Sequence, residues 1–232
     1  MTPADPNDAT ADFTGRAAIF PLPNATLFPN VMLPLHIFEP RYRCMAEDIL
    51  KGDRYLAMGL LKEGWEDRYE SKDCEIHDTV CLGKVISNEQ LEDGRHYLML
   101  QGLRRAKLVT ELETDLPYRL GMLELVPDVY PQTPIIDRER RQEELVDWFR
   151  KAYPKLGMEA DLIHALGSGI QLGELCDVIA HSLKLPPENA QRLLAQADVD
   201  QRSDIVLEML KLQFRGTFEP AGREFPPGFS LN

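Results

Sequence analysis

The sequence predicts an α+β chain in which a small, strongly curved sheet carrying one helix comes first and a helical subdomain follows. Three observations lead there. Up to about residue 126 the apolar residues fall in short β-type runs separated by turn residues, whereas from residue 137 onward they recur at helical spacing. Between the two regimes stands "PDVYPQTPIID", where Pro127, Pro131 and Pro134 make a stiff connector over 128–136. The one helical pattern of the first half, "EPRYRCMAEDILKG", comes directly behind apolar segments that hold several prolines, in "FPLPNATLFPNVMLPLHIFEPRYRCM".

Each element has its own signal. Residues 1–15, polar and rich in Pro and Asp, read as a disordered tail. Ala17 to Leu22 reads as a first strand, ended by Pro21 and Pro23, and Val31 to Phe38 as a second. Pro34 must then lie at an edge or a bulge, because it has no N–H to give to a ladder. In the helix, Pro40 suits the first turn and Tyr42, Met45, Ala46, Ile49 and Leu50 make one apolar face, with Gly52 expected as a left-handed cap. Residues 54–61 read as a strand and 62–78 as a polar loop that tolerates insertions. Asp93-Gly94 between two strand-like runs signals a hairpin with a type I′ turn, and 118–126 is a further strand.

Beyond the connector, Leu145, Val146 and Phe149 stripe a helix over 137–152, and Leu162, Ile163 and Leu166 a shorter one. Leu172, Leu175, Val178, Ile179 and Leu183 mark a third; Pro186-Pro187-Glu188 opens a short fourth; and Ile205, Val206, Met209, Leu210 and Gln213 mark the last. The domain reading is therefore a sheet unit over 16–127, a helical unit over 137–214 and a Pro/Gly-rich tail over 215–232.

Composition narrows the partners. The net charge is -12, which argues against a general affinity for nucleic-acid phosphates or anionic membranes. The start lacks the basic and apolar regions of a secretory signal, and no run approaches the roughly 18 apolar residues of a membrane span, so the expected location is cytoplasmic. Cys44, Cys74, Cys81 and Cys176 form no C-x-x-C pair and read as free thiols in a reducing compartment.

Three separated blocks carry a family resemblance. "FPLPNATLFPNVMLPLHIFEPRYRCM", "QGLRRAKLV" and "LGELCDVIAHSLKLPPENAQRLLAQADVDQRSDIVLEML" together resemble, in order, the amino-terminal domain of the Lon protease, a module also found in cereblon and in stand-alone bacterial proteins. The resemblance implies a PUA-like small β-barrel followed by an α-helical bundle. The prolines would then set corners and protected edges of a barrel. An ordinary α+β sheet with edge prolines would show the same local elements without closure.

The chemistry expected of an ATP-driven protease finds no residues here. A P-loop needs Gly-x-x-x-x-Gly-Lys-Ser/Thr, and the only Gly-Lys is Gly83-Lys84, followed by Val85 and without the upstream glycine. The expectation is a stand-alone, non-catalytic member with no ATPase module, no Ser-Lys dyad and no cofactor. Cys74, His77 and Cys81 offer three zinc-type ligands without a fourth, and an alternating strand would send Cys74 and His77 to opposite faces, so no metal is expected. Cys176 and His181 miss the i, i+4 spacing of a stacked pair and read as a core thiol and a surface imidazole. His36 reads as a strand histidine bonded to a neighbouring turn.

The resemblance implies a polypeptide-binding module for unfolded or exposed segments, working with a separate protease or chaperone. The candidate contact residues are Phe28 and Tyr42 as apolar contacts with Glu39, Arg41 and Arg43 as a polar rim, the binding surface being either the head of the first helix or a cleft between the sheet and helical units. PUA domains proper bind RNA, the competing reading. Residues 1–125 carry 14 Lys and Arg against 21 Asp and Glu, and Arg104, Arg105 and Lys107 are the one basic cluster, so nucleic acid ranks below polypeptide.

Overall fold

The computed structural model describes residues 9–69, 71–153, 169–183 and 185–216. The chain divides at Val126/Pro127 into a sheet unit and a helical unit. In the first, β1 (Arg16–Leu22), β2 (Met32–Ile37), α1 (Pro40–Lys51), β3 (Tyr55–Leu60), β4 (Thr79–Gln90), β5 (His96–Leu112) and β6 (Arg119–Val126) follow one another. The sheet order is β2-β5-β4-β3-β1-β6, and β5 pairs again with β6. That extra pairing closes a barrel of β5, β4, β3, β1 and β6, leaving β2 as a flanking strand. Closure decides between the two readings of the prolines.

Pro21, Pro34 and Pro40 each sit where a missing N–H does little harm. Pro21 pairs with Gly59 of β3 but lies beyond Ile19, where the β1–β6 pairing stops. Pro34 is in β2, which pairs with β5 alone among the described strands. Pro40 takes the first turn of α1, whose buried residues are Tyr42, Met45, Ala46 and Ile49. The strands bend at register shifts in β4–β5 and β5–β6, as a small barrel requires.

Gly102 lets the chain cross β5. A Cβ there would lie 2.0 Å from the Phe28 carbonyl oxygen, and Gly102 instead exchanges backbone hydrogen bonds with Asn30 (2.9 Å) and Val31 (2.8 Å). The 23–31 segment is thus pressed onto the barrel, and Leu27 and Phe28 are buried beneath it.

Four local expectations need correction. Gly52 is not left-handed (φ -104°); the positive φ falls on Arg54 (66°), whose N–H reaches the Ile49 carbonyl at 3.1 Å. The hairpin turn is not type I′, since only Gly94 has positive φ (81°). Gly94 N–H donates to Leu91 at 2.9 Å and Leu91 N–H to Arg95 at 2.9 Å, a three-residue loop with one left-handed position.

The stretch expected as a free tail is packed from Ala9. The Tyr55 hydroxyl lies between the Ala9 carbonyl (2.8 Å) and the Asp12 carboxylate, and Phe13 meets the Tyr55 ring edge-on at 5.1 Å. The 62–78 loop is also more than a polar insertion. Cys74 and Ile76 are buried in the barrel core with Trp65 and Tyr69 against it, and Arg119 grips the Cys74 carbonyl at 2.7 Å while pairing with Glu111.

The helical unit holds α2 (Arg138–Ala152), α3 (Leu172–Ser182), α4 (Pro187–Ala195) and α5 (Val199–Phe214). Asp137 and Asp198 accept from the N–H groups of Arg140 and Gln201 at the starts of α2 and α5, and Gln171 with Glu174 forms a capping box on α3. The stripe of Leu162, Ile163 and Leu166 lies outside the described residues. The first residues of the connector are built into this unit: Val129 bridges Asp198, and Asp128 pairs with Arg202 of α5, its Oδ1 3.0 Å from Nη1. The Tyr130 hydroxyl accepts from Gly173 N–H at 3.1 Å.

Candidate functional site

The head of α1 is a clamp. Glu39 occupies the N-cap without a side-chain cap bond; its carbonyl accepts the N–H groups of Tyr42 (3.0 Å) and Arg43 (2.9 Å). Its carboxylate takes Arg41 Nε at 3.0 Å and the Tyr69 hydroxyl at 3.1 Å. Arg41 also donates to the Tyr69 carbonyl at 3.1 Å, and its guanidinium stands 4.5 Å from the Tyr42 ring centroid and 5.1 Å from that of Tyr69. Burial opposes the Arg41 charge, yet Tyr42 and Glu39 more than offset it and hold the guanidinium above the ordinary arginine value. Burial, with Tyr42 and Glu39 beside it, pushes the Tyr69 phenol up. The pair therefore ties α1 to the 62–78 loop.

Phe28 and Tyr42, expected as contact residues, are core residues instead. They are 1% and 3% exposed, and Tyr42 packs edge-on against Phe20 at 4.6 Å. A ligand on the surface touches neither ring. Arg43 remains on the rim and reaches across to the β4–β5 turn: a Cβ on Gly94 would lie 2.2 Å from its guanidinium. In that turn Asp93 accepts from the N–H of Arg95 (3.1 Å) and from its Nε (2.7 Å). The backbone bond from Arg95, then that residue's side chain and charge, and the charge of Arg43 hold the Asp93 carboxyl below its ordinary value.

Beside this rim lies a surface built from the outward positions of β2 and β5. Pro34 stands opposite Met99, His36 opposite Tyr97 and Met32 opposite Gln101. The His36 and Tyr97 rings stack at 4.7 Å with 24° between planes, and Phe38 lies 5.6 Å from His36. Met32 is 48% and Tyr97 40% exposed, and Ile86 in the adjoining β4 bulge is 44% exposed. Burial first, then the Arg95 charge, lowers the His36 pKa, with Asp93 partly opposing. The expected bond from His36 to a turn is absent at Nε2, which is buried without a partner. Two thioethers, a stacked ring pair and a proline make an adaptable apolar face.

Sequence reasoning missed Tyr97, Met99 and Met32. The available signal was that β2 and β5 are apolar at both parities, which a strand with one solvated face should not be.

The other candidates are dispersed. The Cys74 thiol donates to the Arg68 carbonyl at 3.0 Å, and Cys81 is buried. Among the described residues no three His, Cys, Asp or Glu side chains are grouped to hold a metal ion. Cys176 is buried and His181 half-buried on α3. Arg105 is 2% exposed while Arg104 and Lys107 face solvent, so the basic cluster does not form one surface. No helix among the described residues is long and apolar enough to cross a membrane.

Comparison with known proteins agrees with this architecture. The Lon protease of Paraburkholderia phytofirmans is 28% identical over 199 residues, covering 82% of this chain, and that of Dictyoglomus thermophilum is 26% identical over 195 residues, covering 83%. The chain spans only 23% and 24% of those proteins. Among solved structures, the Lon N-terminal domain protein from Xanthomonas campestris superposes with a TM-score of 0.60 at 18% identity, covering 83% of this chain and 97% of that one. The N-terminal domain of the Mycobacterium avium complex Lon protease gives 0.61 at 13% identity, covering 84% and 98%. At these identities the structural likeness speaks for the fold. Residues 16–212 match the family described as the ATP-dependent protease La (LON) substrate-binding domain, and the chain belongs to that family.

Proposed function

We propose that the chain is a non-catalytic, polypeptide-binding module that captures unfolded or exposed segments on the outer face of β2 and β5 and serves as a recognition or adaptor unit for a protease or chaperone in the cytoplasm. Membership of a substrate-binding family supports the general role. The observation that carries the site is the exposed apolar face, with Met32 and Tyr97 half open to solvent on the paired strands β2 and β5. Stray exposed apolar residues are ordinary, but a group of them on paired strands marks a contact surface. Thioether side chains suit varied ligands because they repack at little cost. Arg43, Asp93 and Arg95 form a charged rim, while the inward Glu39–Arg41 pair keeps α1 in place.

The test is a Met32→Ser, Tyr97→Ser double variant, with affinity for a reduced, carboxymethylated protein and the denaturant midpoint measured on the same samples. Affinity should fall about ten-fold or more, as loss of central contacts of this kind does, with the midpoint nearly unchanged. Unchanged affinity at an unchanged midpoint removes this face as the binding site.

A further inference from the structure

The histidine in the middle of the apolar face has a constrained protonation state. His36 stacks on Tyr97 at 4.7 Å, and its Nε2 is buried with no hydrogen-bond partner among the described residues. In a neutral imidazole one nitrogen is an acceptor, and an idle acceptor is tolerated in an apolar setting. In the imidazolium both nitrogens are donors, and the charged Nε2–H would have nothing to donate to. The surrounding charges are Arg95 and Asp93 in the β4–β5 turn, Glu89 opposite Tyr97 on β4, and Arg43 from α1 above Gly94. Arg95 opposes a second positive charge at His36, and Asp93, which would favour it, is already engaged by Arg95 through two hydrogen bonds.

We propose that protonation of His36 is a switch on this face: the neutral ring completes the apolar surface, and the imidazolium leaves the Tyr97 stack to reach water and weakens polypeptide binding. The inference rests on the polypeptide-binding reading and adds its regulation. A cation stacked on a tyrosine gains some attraction, but at a half-exposed ring this is smaller than the penalty of an unpartnered charged donor. The sign follows from burial, which disfavours the charged form and sets the His36 pKa below its ordinary value near 6.5. The stacked form is therefore fully populated above about pH 6.5 and is lost as pH falls through the lower folded value. Asp93, held low by Arg95, stays ionised through this range and does not confuse the response.

The experiment uses the full chain and His36→Phe, which keeps an aromatic ring but cannot protonate, with reduced, carboxymethylated α-lactalbumin as the probe at pH 7.5 and 5.0. Wild type should lose affinity by about three-fold more than the phenylalanine variant, because only the wild-type ring takes up a proton over that interval and only the neutral ring completes the bound face. In the unliganded protein the Tyr97 ring resonances should move together with the His36 imidazole titration. Equal pH dependence in the two proteins, or a His36 titration that leaves the Tyr97 ring unmoved, overturns the switch alone. Absence of binding at pH 7.5 in both proteins overturns the polypeptide reading and the switch on it together.

Discussion

The two units solve the problem of a small core in opposite ways. The barrel interior is apolar, with Ile19, Ala57, Val80 and Leu82 fully buried together, and its strand-to-strand closure satisfies the backbone. The helical unit places charge at its centre. Arg202 is 0% exposed, pairs with Asp128, stands 3.5 Å from Asp177 (1% exposed) and donates to the Gln196 carbonyl at 2.7 Å. Asp200, also 0% exposed, pairs with Arg138 at 2.7 Å. Burial alone would pull the Arg202 charge off, but Asp177 and Asp128 hold its pKa above the ordinary arginine value. A closed sheet fixes its register through hydrogen bonds, whereas short helices can slide and turn; on this view the buried ion pairs select one arrangement.

The sharpest way to break that contrast is Arg202→Met. It removes the buried guanidinium that Asp128 and Asp177 share and should lower stability by about 3–5 kcal/mol, read as a shifted helical transition in denaturant. Adding Asp177→Leu should recover part of the loss, and a double variant as unstable as the single one would show that shape rather than charge is at work. In the barrel, the equivalent weak point is steric. Gly102→Ala drives a Cβ into the Phe28 carbonyl and should destabilise by about 1–3 kcal/mol, with the change in amide exchange concentrated in 27–31. If exchange there is unaltered, the crossing does not depend on glycine.

The smallest expected effect is Gly94→Ala, about 1 kcal/mol in denaturant midpoint from its φ of 81°, because an added methyl meets the movable end of Arg43 rather than backbone. A larger loss would mean that Arg43 is held as firmly as Arg41.

What could be read from residues and what could not divides along the same line. Where apolar residues alone set the pattern, as in α1, the buried face comes out as Tyr42, Met45, Ala46 and Ile49. In α5 the expected stripe of Ile205, Val206, Met209, Leu210 and Gln213 is rotated: the buried residues are Val199, Asp200, Arg202, Ser203, Val206, Leu207 and Leu210. Polar residues in the core defeat a hydrophobic count. The 62–78 loop misleads for the same reason, since its many charges hide the four side chains it sends inward. At the candidate site Glu39 and Arg41 read as rim residues, because sequence cannot show that Tyr69, 30 positions from Glu39, returns to bind them. Pro34 was legible as an edge residue because its constraint is purely local.

That proline has a consequence for the protein's own solubility. The Val31 carbonyl accepts from Gly102 of β5, so odd-numbered residues of β2 turn their backbone groups toward β5 and even-numbered ones, Pro34 among them, turn outward. The exposed border of β2 therefore lacks a donor at its middle, and a visiting extended chain cannot zip along it. An exposed apolar face beside an uninterrupted strand border would otherwise be a template for cross-β growth. With the border interrupted, the apolar side chains of that face can stay open to solvent without the strand beside them recruiting further chains.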